Sequence, residues 1–192
     1  MDNVRLARSG DAAAVAAIYA PSVTGAATSF ELTPPSAGEI AERIARVSPH
    51  APWLVMDRDG ELTGFAYAAR HRERAAYQWS VDTSVYVRAD QRRTGVGRTL
   101  YRVLLALLRV QGFYAAHAGI TLPNPASVAL HEAVGFGRIG VEPCVGFKLG
   151  AWHDVGWWQL ALRARSGEPQ PPLSVHDAQA RQGWREALAP PA

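Results

Sequence analysis

Lysine is almost absent from this chain. Of its 192 residues, 20 are Lys or Arg, and Lys148 is the single lysine among them. With arginine so favoured, no one arginine marks a site unless its position gives a separate reason. Cysteine is as scarce. Cys144 stands alone, which excludes an internal disulfide and a cysteine-based zinc site, and it reads as a small buried residue. No apolar stretch approaches the roughly 18–20 residues of a membrane span. The opening "MDNVRLARSGD" lacks a signal-peptide pattern, so a cytoplasmic protein with no membrane partner is expected. A dense basic run is missing too: the net charge of +3 comes from scattered arginines, and nucleic acid is not expected as a partner. No Ser-His-Asp nucleophile motif and no spaced set of metal ligands occurs, so no metal is expected.

What is present describes one globular domain, 48% hydrophobic and 19% charged. "NVRLAR" alternates as a strand. "SGDAAAVAAIYA" reads as an alanine-rich helix with Ser9 and Asp11 as caps and Pro21 as its end. A loop from Pro21 to Ser36 precedes a second helix, whose Ile40, Ile44 and Val47 share a face. "PWLVMDRDGELTGFAYAAR" predicts a hairpin turning at Asp59-Gly60. "AYQWSVDTSVYVR" predicts another strand, and the helix after it stops at Gly112. A buried strand "FYAAHAGITL", a short helix ended by Gly135 and two late strands complete a mixed α/β domain over residues 1–165. The Pro-rich stretch 166–192 lacks core periodicity and is expected to be peripheral or mobile.

The stretch "SVYVRADQRRTGVGRTLY", Ser84 to Tyr101, sets a β-rich run against an arginine- and glycine-rich turn and then a helix. A helix N-terminus offers free N–H groups and positive dipole character, which suit an anion. Gly95 and Gly97 permit close backbone approach, and Arg92, Arg93 and Arg98 add charge. The Walker pattern fails for want of Lys-Ser/Thr. The dinucleotide fingerprint fails because its third glycine is Leu100. The turn is compatible both with anion binding and with a plain strand–helix connection.

"QRRTGVG" after "SVYV" resembles the pyrophosphate loop of the GNAT superfamily of N-acetyltransferases, and "NPASVALHEAVGF" resembles that superfamily's second signature. The resemblance implies the GNAT acyl-CoA N-acyltransferase fold, with a mixed sheet splayed at one strand pair and flanked by helices. It implies acetyl-CoA as co-substrate. The backbone of Val85, Tyr86 and Val87 would pair with the pantetheine arm. Arg92, Arg93, Thr94, Gly95, Val96, Gly97 and Arg98 would cradle the pyrophosphate, and Asn124 and Ser127 would touch the cofactor arm. "PWLV", "LHEAVGF" and "GFKLGAWHDVGWWQL" are similar to the phosphinothricin and methionine sulfoximine N-acetyltransferases, as far as about Leu162. Relatives of that branch form homodimers, so a homodimer is expected here.

Acetyl transfer to an amine needs a base for the ammonium proton and an N–H donor for the oxyanion. Asp82, inside an otherwise apolar strand, is the candidate base. The family usually has glutamate there, and the lost methylene shortens the reach by roughly 1.5 Å. The alternative is a solvated strand carboxylate. His131 stands where many relatives carry a tyrosine general acid, and a packed helix histidine is the competing reading. His153 and Asp154, neighbours on a strand, point to opposite faces and read as structural. For the acceptor, Arg72 and Arg74 suit an anionic group. The resemblance adds Tyr77 and Phe30 to the substrate side. Arg74, eight residues before Asp82, is expected on the same strand face. The expected function is acetylation of a small amino acid-like amine, phosphinothricin or methionine sulfoximine in type. The competitors are an acetyltransferase for a protein N-terminus or polyamine, a non-catalytic CoA-binding sensor and a nucleic-acid-binding module.

Overall fold

The computed structural model describes residues 2–189. Thirteen strands and helices follow in the order β1 (Asp2–Leu6), α1 (Ala12–Thr24), α2 (Ala37–Val47), β2 (Trp53–Arg58), β3 (Glu61–Arg70), β4 (Ser80–Val87), α3 (Val96–Gln111), β5 (Ala115–Leu122), α4 (Pro125–Ala133), β6 (Gly137–Lys148), β7 (Ala151–Ala161), α5 (Val175–Gln179) and α6 (Gln182–Leu188). The strands form one seven-stranded sheet in the order β1-β2-β3-β4-β5-β7-β6. Its pairs are antiparallel except β4–β5, which is parallel.

Local chemistry accounts for most boundaries. Ser36 caps α2 by accepting from Glu39 N–H, and the Glu39 carboxylate returns to Ser36 N–H at 2.7 Å, a reciprocal capping box. Asp59 and Gly60 both take positive φ, 54° and 89°, as a tight hairpin turn between β2 and β3 demands. Gly112 ends α3 in the left-handed region at φ 96°.

Two apolar layers cover the sheet. On one face α3 buries Leu100, Leu104, Leu107 and Leu108 against Leu54, Met56, Ala66, Val81 and Ala116. On the other, α1 and α2 bury Val15, Ile18, Tyr19, Ile40 and Ile44 against Trp53, Val55 and Phe65. Gly64 sets the height of α3 over the sheet. A Cβ there would lie 2.8 Å from Val96 Cγ1 and 2.9 Å from Tyr86 O, so the helix start can rest directly on β3 and β4.

Four expectations are corrected. Pro21 does not end the first helix, which runs on to Thr24. The proline costs the helix one donor, at the Ala17 carbonyl, but both residues are exposed, so that group stays open to solvent. The strand expected from Ala76 starts only at Ser80, and Ala75–Tyr77 is a single 3-10 turn. Antiparallel β3 and β4 need a reversal between them, and the charged run after Arg70 supplies it. Cys144 is exposed rather than buried, at φ 48° in an irregular stretch of β6. The segment after Ser166 is not peripheral: Val175, Ala178 and Trp184 are buried in the α3-side core. Its apolar residues are few, but two short helices bring them to one face.

Candidate active site

The site begins where two strands part. The β4–β5 ladder pairs Ser80 with Ala115, Val81 with Ala116 and Asp82 with His117, and then stops. The β3–β4 ladder continues to Gly64↔Val87. From Thr83 to Val87, therefore, β4 is bound on one edge and bare on the other. Thr83 sits at the fork, its hydroxyl donating to the His117 carbonyl at 3.0 Å. Val85 and Val87 turn their backbone N–H and C=O groups to the bare edge, donors and acceptors for an extended amide-bearing ligand, whereas Tyr86, paired with Phe65 in phase with the bond from Arg88 N–H to Thr63 O, turns its own to β3, against expectation. Val85 and Val87 pack on the α3 side. Tyr86 packs on the α1–α2 side, the face that Asp82 shares by strand alternation.

The glycine turn stands at the end of that edge. After a 3-10 turn at Ala89–Gln91, the Thr94 hydroxyl donates to Gln91 O at 2.7 Å. Arg93 and Gly95 take φ of 62° and 92°, and α3 starts at Val96. Arg92, Arg93 and Arg98 are exposed and form no ion pair among the described residues. Three guanidinium groups without an ion pair among the described residues thus flank the positive end of a 16-residue helix, an arrangement suited to cradling an anion. Gly97 has a second role that the sequence did not reveal. It is buried, and its Cβ would meet Leu130 Cδ2 at 3.1 Å and Val87 Cγ2 at 3.5 Å.

Beside the cradle, Asn124 caps α4 by accepting from Ser127 N–H at 3.1 Å. His131 is buried. Its Nδ1 lies 2.7 Å from Ser127 O, and its Nε2 lies 2.8 Å from the Tyr101 hydroxyl. With Nδ1–H donating to the carbonyl, Nε2 accepts from Tyr101. Burial lowers the His131 pKa, against the bond to Ser127, which raises it. Both nitrogens are engaged, so proton movement at His131 has to pass through Tyr101 or Ser127 rather than by direct contact with a ligand.

The other end of the fork is polar. Asp82 Oδ1 lies 2.6 Å from His71 Nδ1. The His71 ring stacks on His117, centroids 4.2 Å apart and planes 11° apart, and Gln159 reaches His117 at 3.4 Å. Tyr77 and Trp157 stand edge-on to His71 at 6.0 and 6.5 Å. The Arg72 guanidinium lies 5.9 Å from the Trp157 ring centroid. Burial raises the Asp82 pKa, and the bond from His71 opposes that rise. Burial, then the nearby charges of His71, Arg72 and Arg165, pushes His117 down to about 4. Among the described residues no three His, Cys, Asp or Glu side chains converge as a metal site.

Asp82, Arg72 and Tyr77 are thus brought together, and Arg74 is not. It opens the 3-10 turn, exposed and off β4, so the same-face argument from strand spacing does not hold. Phe30 lies elsewhere on the β6–β7 hairpin, packed so closely on Gly146 that no Cβ fits there. Its loop is fastened by Tyr19 to Ser29 and Glu31, by Arg43 to Glu31, and by Lys148 to Ser29 O. His153 and Asp154 are structural: His153 Nε2 donates to Lys148 O at 2.9 Å, and Asp154 accepts from Cys144 N–H at 2.8 Å. Reading the sequence missed His71 and His117. Only the strand register identifies them, since Arg70↔Val81 and Asp82↔His117 place both beside Asp82.

A family model described as "Acetyltransferase (GNAT) domain" matches residues 4–157. The phosphinothricin N-acetyltransferase of Streptomyces viridochromogenes is 38% identical over 172 residues, 90% of this chain and 92% of that protein. The L-methionine sulfoximine/L-methionine sulfone acetyltransferase of Pseudomonas paraeruginosa is 35% identical over 169 residues, 87% of this chain and 98% of that protein. Among solved structures, a phosphinothricin acetyltransferase from Sinorhizobium meliloti in complex with AcCoA superposes with a TM-score of 0.84 and 33% identity, covering 88% of this chain and 93% of that one.

Proposed function

The chain belongs to the GNAT acetyltransferase family, and we propose that it N-acetylates a small amino acid-like substrate, of the phosphinothricin or methionine sulfoximine type, from acetyl-CoA. One observation carries the reading: the β4 edge laid bare at Asp82/His117 runs straight to the arginine-rich start of α3. The two features match an extended amide arm and a pyrophosphate at its end. In this reading Val85 and Val87 hold the arm, residues Arg92 to Arg98 hold the phosphates, and Asn124 and Ser127 flank the arm. When bound, acetyl-CoA supplies an acyl carbon activated as a thioester. Asp82 takes the ammonium proton, because only the free amine has a lone pair to give. N–H groups on the bare edge face the place where negative charge grows. Arg72, over the Trp157 ring and with Tyr77 beside His71, receives the acceptor's anionic side.

The experiment is an acetyl-CoA turnover screen over amino acids, their phosphinate and sulfoximine analogues, and polyamines. Phosphinothricin or methionine sulfoximine should exceed any polyamine in kcat/KM by at least about tenfold, the effect of 1.4 kcal/mol. Preference for a polyamine would reverse the substrate assignment, and binding without turnover would make the protein a CoA sensor.

The same reading includes a cytoplasmic homodimer. Ile139, Val145, Phe147, Leu149 and Trp152 are 50–63% exposed on β6, β7 and the turn between them. Four of them lie at the turn end of the hairpin, where the Phe147 and Trp152 rings meet at 5.4 Å; apolar exposure of this kind favours a partner surface, and a second copy is the proposed occupant. Sedimentation velocity of the wild type and of Trp152→Asp tests it: a dimer should give way to a monomer.

A further inference from the structure

We propose that His71 is a positioning residue that fixes the Asp82 carboxylate as proton acceptor, and that His117 holds the His71 ring in place. The proposal rests on the N-acetyltransferase reading above. Its ground is a side-chain pair that the strand register builds. The paired β3–β4 ladder ends at Arg70↔Val81, and His71 N–H reaches on to Ser80 O at 3.4 Å. His71 therefore lies two residues beyond Ala69, the cross-strand partner of Asp82, and so stands diagonally beside Asp82 on the same face.

The two members of the pair differ in burial. The His71 side chain is 12% exposed and that of Asp82 35%. The ring is clamped flat on His117 with Tyr77 and Trp157 at its edges, while the carboxylate is the open member. Oδ1 is held by Nδ1–H, and Oδ2 has no partner among the described residues. Oδ2 is thus the oxygen left to take a proton. In that step an ammonium N–H bond breaks, its electron pair stays on nitrogen, and the proton goes to Oδ2.

An aspartate needs such a holder. It is one methylene shorter than the family's glutamate, and an unheld carboxylate spreads over several χ1 wells. A misplacement of about 1 Å costs on the order of 100-fold in rate. A single charge-assisted bond to a packed ring removes that freedom. The groups that face Asp82 are His71 and Arg72 from the β3–β4 connection, Tyr67 from β3 and His117 from β5. Arg165 acts on His117. Burial keeps His117 neutral near pH 7, so the stack sets no charge of its own beside the bond between His71 and Asp82.

The test uses the full chain with acetyl-CoA and phosphinothricin. His71→Phe keeps a flat ring on His117 and removes the donor. It should lower kcat about tenfold or more at pH 7 and move the acid limb of kcat/KM upward by about one pH unit, with KM for acetyl-CoA unmoved. The sign follows from the bond to His71, which favours the ionised carboxylate. Without it, the desolvated group protonates more easily. His71→Asn, which retains an N–H near the place of Nδ1, should restore most of the loss. So should Asp82→Glu made in the His71→Phe chain. An unchanged acid limb and kcat in a folded His71→Phe protein overturns the proposal, and so does a His71→Asn protein as impaired as His71→Phe. A carbon-13 titration of Asp82 Cγ in the free protein reads the same contact without turnover. An upward shift in His71→Phe supports the proposal, and no shift overturns it. Absence of turnover with every amine would instead overturn the acetyltransferase reading.

Discussion

Gln111 and Leu173 hold each other by two hydrogen bonds: Leu173 N–H donates to Gln111 O at 2.7 Å, and Gln111 Nε2 donates to Leu173 O at 2.8 Å. The last residue of α3 is thereby tied to the segment that follows the sheet. Val175 N–H adds a bond to Pro49 O, and Trp79 Nε1 one to Gln170 O. Two of these four contacts fasten the segment to the loops that frame β4 and the α2–β2 connection.

The segment is consequently a stabilising part of the domain. Trp184 is 3% exposed in the α3-side core, and removing a buried aromatic costs about 3–5 kcal/mol. Trp184→Ala should lower the unfolding free energy obtained from urea titration by about that amount, and truncation after Ser166 should lower it further. A truncated chain with an unchanged unfolding midpoint would show that the docking contributes nothing.

The two glycines of the turn separate stability from binding. Gly97 is packed against Leu130 and Val87, so Gly97→Val forces α3 and α4 apart and should lose stability together with acetyl-CoA affinity. At Gly95 a Cβ would meet nothing within 4 Å, and only the φ of 92° opposes a side chain. Gly95→Ala should therefore weaken acetyl-CoA binding about tenfold, roughly 1.4 kcal/mol, with a smaller loss of Tm than Gly97→Val. Calorimetry and thermal unfolding on both variants check this. Unchanged affinity in Gly95→Ala would remove the turn from the binding site.

His117 gives stability a pH dependence. Its folded pKa is about 4, below the unfolded value of about 6.5. The unfolded chain therefore binds the proton first, and stability is lost as pH falls from about 6.5 towards 4. Asp82 works in the opposite sense, since burial raises its pKa and the folded state takes up its proton earlier. The comparison that isolates His117 is wild type against His117→Val, by urea unfolding at pH 7 and pH 5. The variant should lose less stability over that interval than the wild type. Equal losses would show that His117 is not held neutral by its surroundings.

The order of elements was legible because each left a local trace: the 3.6 period of α2 and α3, the Asp59-Gly60 turn, the left-handed Gly112. The splay of β4 from β5 was expected only through motif resemblance, since no periodicity announces where two parallel strands stop pairing. His71 and His117 were silent for a related reason. They lie 11 residues before Asp82 and 35 after it, and only the register Asp82↔His117 makes them neighbours. Pro21 misled because its cost depends on whether the orphaned carbonyl meets water. Trp184 and Val175 were passed over because two short helices, not one period, bring them to a common face.

The acceptor pocket offers the sharpest discrimination between two arginines. A second anionic group on the substrate must shed water on binding, and an unpaired charge in a partly buried site is costly, so a cationic partner is required. Arg72 lies over Trp157, and its charge is felt at both Asp82 and His117. Both arginines are exposed, but Arg74 opens the 3-10 turn with no ring contact among the described residues, and its charge is not felt at Asp82 or His117. Arg72→Ala should therefore raise KM for phosphinothricin at least about tenfold, as loss of a charge-assisted bond does, and leave acetyl-CoA affinity unchanged. Arg74→Ala should raise it less. A neutral primary amine should be nearly indifferent to either change, having no anion to lose contact with. Steady-state kinetics on the two variants with both acceptors decides the matter. A larger effect at Arg74 would mean that the β3–β4 connection folds over the acceptor when it binds, and no effect at either would remove the anionic acceptor from the assignment.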